Sequence, residues 1–255
     1  MVNALITGSR GFLGTVLRSK LVSLPNVELL EFNRDHSETE LFGVLEQADI
    51  IFHLAGEVRP QSLDSEFELS NTQLTDKICA ILEVLSKKTP IVFASTVHAK
   101  QPKNAYGFSK QRAEERLRIY SENNGAPVII YRLPHMFGPG CKPHYNSVIS
   151  TWMYELSRGQ DINVFDRSIQ MTYVYSLDLI DDWIKYPGAK ITELFQFLSP
   201  PISYNATLGE IEDVLRKFSE QGEFERNSLF ETKLYETYLT YRPKNLDDVL
   251  KPITF

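Results

Sequence analysis

The chain has 255 residues, 42% of them hydrophobic and 24% charged, with a formal net charge of -6. These values argue against a disordered chain and against a general nucleic-acid binder, which carries a basic stripe or domain-wide positive charge. Two cysteines, Cys79 and Cys141, stand far apart and outside any CxxC or Cys/His cluster, which argues against a disulfide framework and a metal site. No run approaches about 18 apolar residues, and the chain opens on a strand-like run, so no membrane association and a cytoplasmic location are expected.

In chain order, Ala4 to Thr7 reads as a first strand, followed by Thr7-Gly8-Ser9-Arg10-Gly11-Phe12-Leu13-Gly14. Glycines at this spacing, after a strand and opening a helix, form a dinucleotide-binding turn. Gly8 permits the turn, Gly11 lets the backbone approach a pyrophosphate and Gly14 allows close helix packing, while the helix N-terminus stabilises the anion. Arg10, Phe12 and Leu13 belong to the same cofactor-binding set. Leu13, Val16, Leu17, Leu21 and Leu24 recur at helical spacing.

Val27 to Phe32 is the second strand, ending in Glu31-Phe32-Asn33-Arg34. With Phe32 where NAD-preferring proteins place a ribose-binding carboxylate, Asn33 and Arg34 reach the adenosine ribose, Arg34 pairs with a 2′-phosphate, and the cofactor is NADPH (NADP). A one-residue register shift makes Glu31 the ribose ligand and favours NAD. Ile50 to Leu54 is a buried strand leading into Ala55-Gly56, so Leu54, Ala55 and Gly56 let the nicotinamide side pass close to backbone. His53, inside this run, reads as a core histidine with its hydrogen bonds satisfied. Arg59 is a candidate for facing a sugar or a phosphate, and Asn71 for hydrogen-bonding the strand backbone. Leu74, Ile78, Ile81, Leu82 and Leu85 give another helical stripe.

The next strand, Ile91 to Ser95, leads to Ser95-Thr96, and ten residues after Thr96 comes Tyr106-Gly107-Phe108-Ser109-Lys110. Tyr106 and Lys110 share one face of a helix. Hydride reduction of a ketone needs a proton donor for the developing alkoxide. Tyr106 is that donor, Lys110 is expected to lower its pKa, and Thr96 polarises the carbonyl oxygen. Val128 to Leu133 is the next strand, with Leu133 in the cofactor-binding set, and Arg132 to Pro139 turns into a loop where ligands bind in this architecture. His135 in that loop, and Lys142 and Asn146 in Cys141-Lys142-Pro143-His144-Tyr145-Asn146-Ser147, are candidate substrate contacts, the last two for a nucleotide diphosphate. A helix is expected near Ser147 to Arg158. Thr207-Leu208-Gly209-Glu210 reads as a capping box, and the Tyr- and Leu-rich tail from Leu229 to Phe255 as a packed segment.

The alternation of strands and helices predicts an α/β fold: a Rossmann-type doubly wound parallel sheet over 1–138, with a small C-terminal substrate-binding lobe over 139–255, some of whose elements return to the core.

Taken together, the TGxxGxxG turn, His-Leu-Ala-Gly, Ser-Thr then YxxxK, and the Arg-to-Gly-Pro loop resemble the extended short-chain dehydrogenase/reductase, or NAD-dependent epimerase/dehydratase, family. Gly56-Glu57-Val58-Arg59-Pro60, Lys142 to Ile149 and Leu234 to Tyr241 are similar to the reductase half of bacterial capsule enzymes. The resemblance implies NADPH-dependent reduction of the 4-keto group of a UDP-2-acetamido-2,6-dideoxy-4-hexulose, with Thr96, Tyr106 and Lys110 as the catalytic set and Lys110 also binding the ribose. It also implies a homodimer through helices near 71–86 and 106–123. Relatives usually continue into a metal-binding cupin domain that epimerises the sugar. These 255 residues do not include one, so a plain 4-ketoreductase is expected. An NAD-dependent 4-epimerase or dehydratase, and a non-catalytic NADPH-sensing module, are the competing readings.

Overall fold

The computed structural model of the chain describes residues 1–221 and 225–243. The end of the tail expected to pack, residues 244–255, lies outside the described residues.

Five parallel strands follow one another as the apolar runs predict: β1 (Val2–Thr7), β2 (Val27–Phe32), β3 (Ile50–His53), β4 (Ile91–Thr96) and β5 (Val128–Leu133). Among them run α1 (Phe12–Leu21), α2 (Glu38–Gln47), α3 (Asp64–Phe67), a π-helical turn (Glu68–Gln73), α4 (Leu74–Val84) and α5 (Ala105–Asn124). Then come β6 (His135–Phe137), α6 (Val148–Leu156), β7 (Gln170–Tyr175), α7 (Ser176–Trp183), β8 (Phe195–Leu198), β9 (Tyr204–Thr207), α8 (Leu208–Gln221) and α9 (Leu229–Tyr241).

Two compact units result. The first takes Met1–Met136 and Val174–Ser203 and holds a six-stranded sheet in the order β2-β1-β3-β4-β5-β8. Strand side chains alternate faces, so Leu5, Ile51, Phe93 and Ile130 meet α2, α4 and α5 in one core. Ala4, Ile6, Phe52, Val92 and Ile129 meet α1 and α7 in the other. This is a doubly wound, Rossmann-like sheet. From β1 the chain first adds β2 on one side and then β3 on the other, and ligands in such sheets bind at the strand C-termini where the order reverses. The register aligns Thr7 with both Phe32 and His53, and Thr96 with Leu133, so most segments singled out in the sequence leave the sheet at one edge.

The second unit takes Phe137–Tyr173 and the described residues from Tyr204 on. In it β7 pairs antiparallel with β9, Thr207 and Glu210 form the expected capping box at the start of α8, and Phe230 stacks on Tyr204 with centroids 4.7 Å apart. Cys79 and Cys141 are buried free thiols, and among the described residues no helix is long and apolar enough to cross a membrane.

Glycine has opposite uses in the first unit, and two substitutions separate them. A Cβ on Gly14 would collide with the Gly8 carbonyl oxygen and lie 2.8 Å from Ser9 Cα, whereas a Cβ on Gly43, inside α2, meets nothing within 4 Å. Gly14→Ala is expected to lower stability by at least about 2 kcal/mol and Gly43→Ala to raise it by about 0.5–1 kcal/mol, both read from urea unfolding at constant m-value.

Candidate functional site

The glycine turn is held by side chains at the end of β2. Gly8 has φ +74°, and a Cβ there would lie 2.8 Å from the Ala55 backbone, so the turn and the loop after β3 are in direct contact. Ser9 donates to Glu31 Oε2 at 2.5 Å and accepts from Asn33 Nδ2 at 2.9 Å, while Arg18 Nε donates to Glu31 Oε1 at 3.0 Å. Glu31 is thus committed to Ser9 and Arg18, which counts against its alternative role as ribose ligand. Asn33, expected to contact cofactor, is buried and braces the turn. Helix α1 begins after Gly11 with no side-chain cap and no acidic residue in its first turn, whereas Ser37, Asn104, Ser147 and Ser228 cap α2, α5, α6 and α9. The orphan N–H groups of α1 are therefore left for an anion, and the residues present fit a dinucleotide pyrophosphate.

Beside this turn lie two arginines. Arg10 Nη1 donates to both carboxylate oxygens of Asp35 at 2.9 Å on the surface, and the largely exposed Arg34 reaches Glu57 at 3.4 Å. Glu57 is buried. It accepts from the backbone N–H groups of Val58 and Arg59 and from Arg59 Nε and Nη2 at 3.0 and 2.9 Å. Its pKa falls to about 2: burial pushes it up, and these bonds more than reverse the push. The Arg59 guanidinium, expected to face a sugar or phosphate, is held by this carboxylate.

His53 is the satisfied core histidine expected. Fully buried, it bonds Thr7 Oγ1 at 2.7 Å and Thr75 Oγ1 at 2.9 Å, and burial, with the Lys110 charge second, lowers its pKa to about 3. Asn71 departs from expectation. It sits in the π-helical turn and bonds the loop after β3, not the strand: its Oδ1 accepts from Glu57 N at 2.8 Å, and its Nδ2 donates to Glu57 O at 3.1 Å and Ser109 Oγ at 2.9 Å. Gly56 is confined by the same contact, since a Cβ there would lie 2.6 Å from Asn71 Oδ1 and 3.4 Å from Lys110 Nζ.

Helix α5 starts under an Asn104 cap that accepts from Gly107 N at 2.9 Å, which places Tyr106 in the first turn beside the end of β4. The Thr96 hydroxyl, which accepts from His98 N at 3.3 Å, acts on the Tyr106 phenol, and the Tyr106 ring packs between Phe67 and His98, with centroids 5.8 and 6.4 Å away. Lys110, buried on the same helix face, donates to Ala94 O at 2.8 Å and lies 4.4 Å over the Phe93 ring. Burial pushes its pKa down to about 8, with Glu114 pulling the other way. The expectation that Lys110 draws the Tyr106 phenol below its ordinary value is corrected: burial dominates and pushes that phenol up, with the Thr96 bond opposing. Chemically, the set presents two hydroxyls and an ammonium at one strand end.

Of the other predicted residues, Leu54 and Ala55 follow Thr7, whose carbonyl and hydroxyl receive their N–H groups at 3.2 Å, and Leu133 is buried in the apolar core beside α1. His135 is exposed at the start of β6. Lys142 and Asn146 are exposed residues of the second unit. Glu57, Ser109 and Glu114 were not singled out from sequence. Arg132 gave the usable signal: a cation in the apolar run Val128–Leu133 needs a buried partner, and Glu114 is that partner.

Residues 4–184 match the NAD dependent epimerase/dehydratase family. The UDP-2-acetamido-2,6-beta-L-arabino-hexul-4-ose reductase of Pseudomonas aeruginosa is 31% identical over 252 residues, 96% of this chain and 66% of that protein's length, so the chain spans about two thirds of it. The crystal structure of the capsular polysaccharide assembling protein CapF from Staphylococcus aureus superposes with a TM-score of 0.84 at 38% identity, covering 98% of this chain and 68% of that one. A UDP-glucuronic acid 4-epimerase from Bacillus cereus reaches 0.81 at 15% identity, covering 94% and 98%, and shows the shared fold alone.

The buried neutral His53 has a consequence for stability. Its folded pKa, about 3, lies below the unfolded 6.5, so the unfolded chain binds the extra proton and stability is lost as pH falls through that window. Between pH 7 and pH 5 this one group should remove about 2 kcal/mol. Urea unfolding of the parent and of His53→Gln at both pH values checks it: the variant should be less stable at pH 7 but show a correspondingly smaller drop.

Proposed function

The chain belongs to the NAD dependent epimerase/dehydratase family, and from that membership we propose that it uses NADPH to reduce the 4-keto group of a UDP-2-acetamido-2,6-dideoxy-4-hexulose. The observation that carries this reading is Lys110, buried against the Ala94 carbonyl at the end of β4 with Tyr106 one helical turn before it, on the same sheet as a glycine turn that opens an uncapped helix. The Pseudomonas aeruginosa relative is named a UDP-2-acetamido-2,6-beta-L-arabino-hexul-4-ose reductase, and the UDP-4-keto-sugar substrate class is adopted for this chain.

NADPH supplies the hydride when bound. The residues of the chain bind, orient and deliver the proton. Gly8, Arg10, Gly11, Phe12, Leu13 and Gly14 cradle the pyrophosphate at the start of α1, and Arg34, loosely paired with Glu57, exchanges that partner for the 2′-phosphate. Leu54, Ala55, Gly56 and Leu133 line the nicotinamide side. Thr96 donates to the keto oxygen and Tyr106 passes it the phenolic proton as negative charge develops there. The resulting phenolate is stabilised by the Lys110 ammonium and regains its proton from solvent. Arg59 and His135 are assigned to the sugar, and Lys142 and Asn146 to the diphosphate.

The test is NADPH oxidation followed at 340 nm with keto sugar supplied by a UDP-GlcNAc 4,6-dehydratase. Tyr106→Phe is expected to lower kcat by about 100-fold or more without loss of NADPH binding. Arg34→Ala should weaken NADPH by about 10-fold while leaving NADH unchanged. Purified protein that carries bound NAD and needs no added cofactor would instead support a 4-epimerase. NADPH binding unchanged by Tyr106→Phe, with no turnover in the parent, would support a sensor.

A further inference from the structure

Three consecutive residues at the end of β4 are each engaged by one residue of a single stripe on α5. The Thr96 hydroxyl acts on Tyr106, while the Ala94 carbonyl accepts from Lys110 and Ser95 donates to Glu114, so the stripe runs at four-residue spacing along the helix. The first two pairs belong to the set described above. The third has no part in it.

Glu114 is buried, and every bond made by its carboxylate is to a named partner. Its Oε1 accepts from Ser95 Oγ at 2.5 Å and from Arg132 Nε at 3.0 Å, and its Oε2 accepts from Arg132 Nη2 at 2.6 Å. Arg132 is itself fixed, its guanidinium lying 4.1 Å over the ring of Phe197 on β8. Two strands and one helix thus converge on this carboxylate, and a third strand backs the arginine that holds it. A bidentate ion pair in such a place is an expensive way to fill space, since an apolar pair of similar volume often stabilises as well or better.

We propose that Glu114 is a positioning residue for the reduction: clamped between Ser95 and Arg132, its carboxylate fixes the end of β4 against α5 and supplies the buried counter-charge for Lys110. The inference rests on the proposed function for its kinetic consequence only. Charged and titratable groups around Lys110 are few. From β3 comes His53, neutral at working pH, and from α5 itself comes Glu114, with Tyr106 four residues before Lys110 on that helix. Strand β4 presents the Ala94 carbonyl and the Phe93 ring, β5 presents Arg132, already paired with Glu114, and the π-helical turn presents the uncharged Asn71 beside Gly56. Glu114 is the anion of this group, and its pull on Lys110 opposes burial.

The ammonium can be read directly by carbon NMR of protein labelled with 13C at lysine Cε, with the Lys110 signal identified by its loss in Lys110→Met. In the parent the midpoint is expected near 8, and in Glu114→Gln about 1 pH unit lower. An unchanged or higher midpoint overturns the proposal. Glu114→Gln leaves Arg132 without its counter-charge, so Glu114→Gln/Arg132→Met is measured beside it. If neither variant unfolds cooperatively, Glu114 is a strut alone and the proposal falls. In the 340 nm assay the alkaline limb of kcat should move down with the NMR midpoint, whereas a purely structural defect lowers kcat equally at every pH and counts against the proposal. A parent protein with no turnover but an intact NMR shift would discard the reductase reading and leave the Glu114 to Lys110 coupling standing.

Discussion

An ammonium group buried at the end of a parallel sheet is the constraint around which the first unit is arranged. Lys110 is 3% exposed, and the fall of its pKa from 10.5 to about 8 corresponds to about 3 kcal/mol of destabilisation at neutral pH, where both folded and unfolded chains carry the proton. That cost is tolerable because the charge rests on the Ala94 carbonyl and over the face of Phe93, while the Glu114 carboxylate one helical turn on pulls on it from a longer range. Each demands a particular packing of α5 on β4. His53 belongs to the same problem, since a second cation this close to Lys110 would add repulsion to desolvation, and its two threonine bonds hold it as a neutral ring.

The loops that leave the sheet edge are fixed by polar bonds more than by apolar packing. Ser9, Glu31 and Asn33 tie the glycine turn to the end of β2, and Asn71 ties the loop after β3 to α5 through Ser109. Hydrogen bonds of this kind set direction as well as energy, which apolar contact does not, so the backbone can stand close to Gly8 and Gly56 without drifting. Glu57 extends the pattern by holding both Arg34 and Arg59, the first at 3.4 Å and mostly in solvent, the second at 2.9 Å. The looser pair is the one an incoming phosphate can displace at least cost.

The parts of this arrangement visible in the sequence are those with a short period. Glycine spacing, the four-residue step from Tyr106 to Lys110 and the apolar runs of β1 to β5 all lie within one turn or one strand, and local geometry carries them. The bracing contacts lie further apart: Ser9 to Glu31 spans 22 residues, Asn71 to Ser109 spans 38, and Glu114 to Arg132 spans 18. Nothing local marks Glu114 as buried, because a carboxylate on a polar helix reads as a solvated face. The π-helical turn around Asn71 was read as ordinary helix, since one extra residue in a turn leaves no compositional trace. A return of elements to the core is expected from the sequence, but not which ones: strand β8, paired with β5, went unread because a four-residue run such as Phe195–Leu198 has no period to detect.

Burial pushes the Tyr106 phenol up, and the Thr96 hydroxyl opposes the push. A phenol of ordinary pKa, about 10, already carries its proton at neutral pH, so a further rise makes it a weaker acid and does not by itself separate a reductase from an epimerase. An epimerase needs its tyrosine as base in one half-cycle and acid in the next, a reductase as acid alone, and both gain from an ammonium that stabilises the phenolate. On the proposed reading the distinction therefore falls to the cofactor contacts, above all the loosely paired Arg34, because a reductase exchanges its cofactor every cycle and an epimerase does not.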